Sequence, residues 1–341
     1  MRRTAPAGVL LCSLVSALAG CGNDTPTSSS PGSAEYATTA TVTQSSAAPT
    51  KPGRIVDQVI TPPTWGIAVR DDGLAYFAEP YNDAVGISST KTRTVTGTVS
   101  TGPGSHPIGL AYSPDGNTAY VTNLFTNNVG VIDVASSQQV ATISTGDASP
   151  FVVRVSPDGR QLFVATNTSL VFIVNTTSRR IYKTVEVGFA PNGFAVSSDG
   201  QTIYVSAFLG GTVSEVDMSS GKVRRTFFVG GTPQDMAINR KGTRLYVANE
   251  TGALNEIDLL TGTILPDIPL AGGGFGVGVT PDDGEAYVAE PANGLVQIFT
   301  LQTRKLSREI NVGGEPRRIA FSQEGRIGAI SNMAGYITFV H

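Results

Sequence analysis

The sequence predicts an all-β fold in which seven blades, each a sheet of four antiparallel strands, close into a β-propeller. Three observations predict it: a repeated word, four β-rich runs in each complete repeat, and an early strand that can complete the last blade. The second letter of the word, as in "AYVTN", falls at Tyr76, Tyr120, Phe163, Tyr204, Tyr246, Tyr287 and Ala329. Successive copies are therefore 41 to 44 residues apart, which is the length of one propeller blade.

Residues 1–20 have the features of a signal segment that is removed from the mature protein. Arg2 and Arg3 precede the apolar stretch "GVLLCSLVSALAG", which is too short to make a convincing membrane-spanning helix. The ending "LAGC" resembles a bacterial lipobox, and this resemblance implies cleavage before Cys21 and lipidation of that residue. An ordinary signal peptide is the alternative. We expect a lipoprotein anchored through Cys21 to a cell membrane, outside the cytoplasm.

Residues 21–53 are rich in Ser, Thr, Ala and Pro and contain almost no large apolar side chains. Because such a segment cannot bury enough surface to offset its ordering entropy, we expect a flexible tether before the propeller at 54–341. Loss of Arg2 and Arg3 changes the formal net charge from −3 to −5. An acidic domain without a basic cluster does not favour nucleic acid as a partner, and we expect a monomer.

The second repeat shows how a blade is built. Its runs "IGLAYS", "TAYVTN", "VGVIDV" and "QVATIST" are rich in Val, Ile, Tyr and Thr, and short polar turns separate them. Asp115-Gly116 supplies a capping carboxylate and a residue that tolerates positive φ, and Asp283 takes this glycine position in the sixth repeat. The last repeat has only three runs, and "RIVDQVIT" at residues 54–61 has the pattern of the missing fourth strand. Pairing of these runs would close the ring.

These units resemble the YVTN-family β-propeller repeat, which has the form P-x-G-x-A-x-S-P-D-G followed by Y-V-x-N and an I-D strand. The resemblance covers residues 54–341, and the second and fifth repeats match the Y-V-x-N word best. It implies the seven-bladed scaffold. It does not imply one activity, because members of the family are similar in scaffold and diverse in role.

The position just before the first strand of each blade is the first place to search for a site, because these residues surround the channel mouth. Across the seven repeats it holds Trp65, Ile108, Phe151, Asn192, Gln234, Phe275 and Arg317. The three aromatic rings can either enclose an organic ligand or plug the channel, and the plug is the favoured interpretation.

The last letter of the repeated word forms a second ring of positions. It is Asn in three repeats, where the amide is predicted to bind loop backbone groups, but it is Glu at Glu79 and Glu290. Because blades one and six flank blade seven, the two carboxylates are predicted to face Arg317 and Arg318. The favoured interpretation is an inter-blade ion-pair network, and a polar recognition site with a carboxylate as general base is the alternative.

Arg154 occupies a position that is Ala or Gly in the other repeats, so its charge near the channel requires a partner or an anion. The chain has two histidines, His106 and His341, and no cysteine follows Cys21. No metal or cofactor is expected from this residue set.

Two functions are consistent with these patterns. The first is a non-catalytic module that binds a protein, a glycan or a small molecule. The alternative is a lyase or hydrolase that acts on a small polar metabolite at the channel mouth. The candidate ligand-binding residues are Trp65, Glu79, Phe151, Arg154, Asn192, Gln234, Phe275, Glu290, Arg317 and Arg318.

Overall fold

The computed structural model describes residues 55–322, 324–325 and 327–340. The predicted signal segment, the lipidation site at Cys21 and the tether lie outside the described residues, as does His341. Within the described part of the chain, no helix has both the length and the apolar character that crossing a membrane requires.

The predicted all-β propeller of seven blades is confirmed. The strand β1 (Ile55–Ile60) belongs to blade 7. The strands of blades 1 to 3 are β2 (Ile67–Val69), β3 (Leu74–Glu79), β4 (Ala84–Ser89), β5 (Thr94–Ser100), β6 (Pro107–Tyr112), β7 (Thr118–Asn123), β8 (Asn128–Asp133), β9 (Gln138–Ser144), β10 (Pro150–Val155), β11 (Gln161–Thr166), β12 (Leu170–Asn175) and β13 (Arg180–Glu186). A single 3₁₀ turn, Pro80–Asn82, follows β3.

The remaining blades continue in the same order. Their strands are β14 (Pro191–Val196), β15 (Thr202–Ala207), β16 (Thr212–Asp217), β17 (Lys222–Phe228), β18 (Pro233–Ile238), β19 (Arg244–Asn249), β20 (Ala253–Asp258), β21 (Thr263–Ile264), β22 (Ile268–Pro269), β23 (Val277–Val279), β24 (Glu285–Glu290), β25 (Leu295–Thr300), β26 (Lys305–Asn311), β27 (Pro316–Phe321), β28 (Gly328–Asn332) and β29 (Tyr336–Val340). Blade 5 is irregular, because β21 and β22 together form its fourth strand and both pair with β20.

The predicted closure of the ring is also confirmed. β1 pairs antiparallel with β29, so blade 7 has the order β1-β29-β28-β27 and joins the two ends of the propeller. Thr64 strengthens this seam, since its backbone N–H donates to the Asn332 carbonyl at 3.1 Å and its hydroxyl accepts from the Asn332 N–H at 2.9 Å. All of these groups are buried, where a paired backbone group is far more favourable than an unpaired one.

The residue at the fourth position of the repeated word joins neighbouring blades through its side-chain hydroxyl group. In three blades this residue donates a hydrogen bond to a backbone carbonyl of the next blade. The bonds run from Thr122 to Phe151 (2.9 Å), from Ser206 to Gln234 (2.6 Å) and from Ser331 to Trp65. The last of them links blade 7 to blade 1 across the seam.

Glycine allows the innermost strands of neighbouring blades to approach closely. A Cβ atom on Gly66 would lie 2.2 Å from the Ile108 carbonyl oxygen, and one on Gly276 would lie 2.1 Å from the Arg317 carbonyl oxygen. The equivalent position is not glycine in three blades, where it is Val152, Asp235 and Arg318. These three residues line a cavity in the channel.

We expect Gly66→Ala to destabilise the fold by about 1–3 kcal/mol, because the added methyl group must displace a backbone carbonyl rather than a side chain. Gly97→Ala is the matched control, since its new Cβ would meet nothing closer than 3.8 Å. This control should change stability by no more than about 0.5–1 kcal/mol. Urea denaturation of both variants measures the difference. Equal stability of the two would contradict the close approach.

Candidate functional site

The channel mouth is filled by the side chains that precede the first strands. Trp65 makes edge contacts with Phe151 and Phe275, with ring centroids 6.1 Å and 5.5 Å apart. The Arg317 guanidinium lies 4.8 Å from the centroids of both Trp65 and Phe275. All four residues are buried, and cation–π contacts of this kind strengthen when water is excluded. The geometry favours the plug over an open aromatic ring of ligand contacts.

Two carboxylates, those of Glu315 and Glu250, lie near Arg317 of the plug. Arg317 Nη2 donates to Glu315 Oε2 at 2.9 Å. Burial lowers the pKa of Arg317, and Glu315 and Glu250 oppose that shift. Burial raises the pKa of Glu250, although a hydrogen bond to Gln234 and the nearby Arg317 charge favour its ionised form. Glu250 was not predicted, because its position follows the repeated word and carries no distinctive pattern.

Inside the mouth lies a cavity of about 260 Å³, formed mainly by the first strands of blades 1, 2, 3, 5 and 7. Much of its wall is apolar, and the end remote from the plug is formed by residues that include Val69, Tyr112 and Phe321. The charged residues of the lining are Arg154, Asp235 and Arg318. The cavity is therefore a small apolar chamber with a charged cluster in one part of its wall.

The three charged side chains form one cluster. Arg154 Nη2 lies 3.5 Å from Asp235 Oδ1, and Arg318 Nη1 lies 3.2 Å from Asp235 Oδ2. One carboxylate therefore serves two guanidinium groups, which leaves one positive charge uncompensated among the lining side chains. Burial lowers the pKa of Arg154 and Asp235 opposes the shift. Arginine keeps its proton in proteins, so we treat the group as a cation.

Arg154 is the most accessible member of this cluster. It lies deep inside the ring, yet 34% of its side-chain surface is uncovered, whereas Asp235 and Arg318 are buried. Its Nη1 also donates a hydrogen bond to the Val153 carbonyl at 3.1 Å. The prediction that this charge needs a partner is confirmed, and the partner is Asp235.

Asn192 and Gln234 connect the cluster to the mouth. Asn192 Nδ2 donates to Gln234 Oε1, and Arg318 Nη2 donates to the Asn192 backbone oxygen at 3.1 Å and to its Oδ1 at 3.2 Å. The structure thus brings together most of the predicted site residues. Sequence reasoning missed Asp235, although a comparison of the glycine position across the repeats would have singled it out together with Arg318.

Several buried N–H groups near the cavity have no hydrogen-bond acceptor among the described residues. They are Trp65 Nε1, Arg317 Nε and Arg318 Nη1, the last of which contacts Asp235 without hydrogen-bond geometry. Buried donors are nearly always satisfied in folded proteins. Trp65 and Arg318 line the cavity, but these particular atoms are covered by the surrounding protein, so the accessible charged donor of the lining is Arg154.

The prediction that Glu79 and Glu290 face the arginines of blade 7 is wrong. Asn82 Nδ2 donates to Glu79 at 3.0 Å, and Asn293 Nδ2 donates to Glu290 at 3.2 Å. The chain turns after each Glu-Pro pair and brings the asparagine back onto the carboxylate, and Glu290 also accepts from the backbone at Gly272 and Ala271. Neither glutamate lines the cavity, and one oxygen of each has no partner among the described residues.

The asparagines at the same position behave as predicted in two repeats. Asn249 Oδ1 accepts from the Thr232 N–H at 2.9 Å, and its amide donates to the Gly230 carbonyl at 3.0 Å. Asn332 makes equivalent bonds to the Glu315 N–H and the Gly313 carbonyl. The third, Asn123, instead donates to the Asn128 side chain.

Comparison with known proteins supports the fold. A model of the cytochrome D1 heme domain family matches residues 113–224, which is less than half of the chain. Hydrazine synthase of Kuenenia stuttgartiensis has a similar structure, with a TM-score of 0.75 and 19% identity over 82% of this chain and 95% of that chain. No curated protein sequence matches the chain.

The residues of the cavity do not fit a haem group. The described lining contains no histidine, cysteine or methionine to serve as an axial ligand. Burial raises the pKa of the Tyr112 phenol, which opposes its use as a phenolate ligand. His106 lies outside the lining, where its ring packs against Tyr81 and Phe125 with centroids 5.5 Å and 4.5 Å away.

Burial of the two loop glutamates predicts a pH-dependent stability. Desolvation raises the pKa of Glu79 and of Glu290, and Glu309 adds to the shift at Glu290. A raised folded pKa contributes stability that is complete below the unfolded pKa of about 4.3 and is lost as pH rises through the folded value.

We therefore expect the contribution of these two groups to the unfolding free energy to fall as pH rises from about 4.3 toward neutrality. Relative to the wild type, Glu79→Gln and Glu290→Gln should each gain stability as pH rises over this range, because neither replacement side chain titrates. Glu186→Gln, at an exposed position, is the control and should leave the profile unchanged. Chemical denaturation across pH 4–8 measures the slopes. Parallel profiles for all four proteins would refute the assignment.

Proposed function

We propose that the protein is a non-catalytic binding module, built on YVTN-type repeats, that holds a small anionic molecule in its channel. The observation that carries the proposal is Arg154, an arginine deep in the ring with 34% of its side-chain surface uncovered. A cavity with apolar walls and a few convergent polar groups is the usual form of a small-molecule site. Of the three ligand classes expected from the sequence, this geometry favours the small molecule.

Electrostatics support an anion. The cluster of two arginines and Asp235 has one excess positive charge beside a partly enclosed cavity, where charge interactions are stronger than at the open surface. A guanidinium group is also suited to a carboxylate or phosphate, because it presents several donors in one plane. An anion would compensate the excess charge and accept hydrogen bonds from Arg154.

The geometry gives less support to the lyase or hydrolase alternative. That hypothesis required Glu79, Glu290, Arg317 and Arg154 to converge on one pocket, and of these only Arg154 lines the cavity. The carboxylate that does line it, Asp235, is held between two guanidinium groups. Each of its two oxygens already contacts a guanidinium, which leaves neither free to approach a substrate proton as a general base must. The heme domain match and hydrazine synthase suggest no residue of this chain as a catalytic group.

We also propose that the propeller is displayed as a monomer outside the cytoplasm, attached to a cell membrane by a lipid on Cys21 and separated from it by residues 21–53. This rests on the lipobox resemblance and the composition of the segment. Cys21→Ala should move the protein from the membrane fraction to the soluble fraction and abolish incorporation of labelled fatty acid when the full chain is expressed in bacteria. Retention of Cys21→Ala in the membrane fraction would contradict the lipid anchor.

Channel binding can be followed through Trp65, the single tryptophan of the chain, because its side chain lines the cavity. Titration of the full-length protein with acetate, benzoate, phosphate and sulfate should change Trp65 emission for at least one anion. That anion should also raise the melting temperature.

Arg154→Met should weaken the binding roughly tenfold or more, because hydrogen bonds to charged groups contribute about 1.5–3 kcal/mol. Arg160→Met, which removes an exposed arginine far from the cavity, is the control and should bind as the wild type does. The proposal is overturned if no anion changes emission or melting temperature, or if Arg154→Met binds as tightly as the control.

A further inference from the structure

The cavity has a polar and an apolar end, and the strand positions define them. Along each first strand, the residue at the mouth is followed directly by the glycine position, the position of Arg154 comes two residues later, and that of Val69 comes one residue after that. Asp235 and Arg318 are at the glycine position, next to the plug. Because a strand rises about 3.3 Å per residue, about 10 Å separates these charges from the level of Val69.

From this gradient we infer that the ligand is a small monocarboxylate with an apolar substituent, whose carboxylate binds Arg154 and whose substituent points toward Val69, Tyr112 and Phe321. The inference rests on the proposed function and specifies the chemical class of the ligand. Three features of the cavity carry it: charge, volume and the apolar end.

Charge selects a monoanion. The lining has one excess positive charge, from Arg154 and Arg318 against Asp235. A single carboxylate compensates it. A dicarboxylate would place its second charge among Val69, Tyr112 and Phe321, where the lining offers no cation to pair with it and the charge gains nothing from the apolar wall.

Volume and wall chemistry argue against an inorganic anion. A cavity of 260 Å³ has the liquid volume of roughly eight water molecules, so phosphate or sulfate would fill only part of it. The apolar end would then remain hydrated. A molecule with an aliphatic or aromatic substituent displaces that water and gains the free energy of apolar burial.

The accessible donor group fits a carboxylate. Arg154 lines the cavity and presents an accessible guanidinium. A planar carboxylate has two oxygens that can accept from the N–H groups of one guanidinium, which is the geometry that arginine binds best.

The ligand must enter from the end remote from the plug. Trp65, Phe151 and Phe275 close the mouth and are buried, whereas Tyr112 and Phe321 at the other end are only partly buried. The apolar substituent therefore faces the side of entry, and the carboxylate reaches Arg154 first.

The test is calorimetric and fluorescence titration of the full-length protein with a matched set of compounds. Benzoate and butyrate should bind roughly tenfold or more tightly than benzamide and butyramide, which have the same shape without the charge. They should also bind more tightly than acetate, succinate and inorganic phosphate.

Variants separate the two ends of the site. Arg154→Met should reduce benzoate affinity roughly tenfold or more, and Arg154→Lys should retain part of it. Val69→Phe, which enlarges a side chain at the apolar end of the cavity, should weaken benzoate while leaving acetate unchanged. If a variant does not fold, as judged by circular dichroism, the compound series on the wild-type protein still tests the inference.

The results distinguish the inference from the proposed function. If phosphate or succinate binds as tightly as benzoate, or if benzamide equals benzoate, the monocarboxylate is excluded. If phosphate binds the wild type but not Arg154→Met, the proposed anion site is still supported, although the monocarboxylate is not. If none of the anions binds, both proposals fail.

Discussion

The close approach of the innermost strands around the channel is the constraint on which the rest of the structure depends. Gly66 and Gly276 permit contact between the backbone of one blade and a carbonyl of the next. Where the blades are that close, a single hydroxyl such as that of Ser331 can bridge them. The ring therefore closes through many short-range contacts between neighbours, as expected of a repeat architecture in which each unit contacts mainly its neighbours.

The candidate site arises where this constraint is relaxed. Asp235 and Arg318 replace glycine in two blades, and Arg154 replaces a small residue in a third. Their side chains reach the channel, and the low dielectric of the interior requires them to pair. Because two cations share one anion, the pairing is incomplete. A scaffold made of near-identical units thus gains charged side chains in its channel at the few positions where the sequence departs from the repeat.

The two glutamates show the limit of pattern comparison. Glu79 and Glu290 also depart from the repeat, but they sit at the end of the second strand, farther from the axis than the first strand. The turn that follows each of them supplies its own partner, Asn82 or Asn293. A departure in sequence becomes a shared site only if the side chain lies near the axis, where all seven blades converge. Whether such a residue contributes to a shared site therefore depends on its position within the blade and not on its chemical type.

The sequence by itself determined the repeat, the number of blades, the closing strand and most residues of the mouth, because turn chemistry and β-rich runs are local properties that recur with a fixed period. It also identified Arg154, since one charge among alanines is visible without coordinates. Only the tertiary structure decided that Asp235 is the partner of Arg154, that the mouth is filled, and that a cavity lies behind it. These depend on distances between residues far apart in the sequence, 81 positions for Arg154 and Asp235 and 252 for Trp65 and Arg317, which closure of the ring sets and no local pattern encodes.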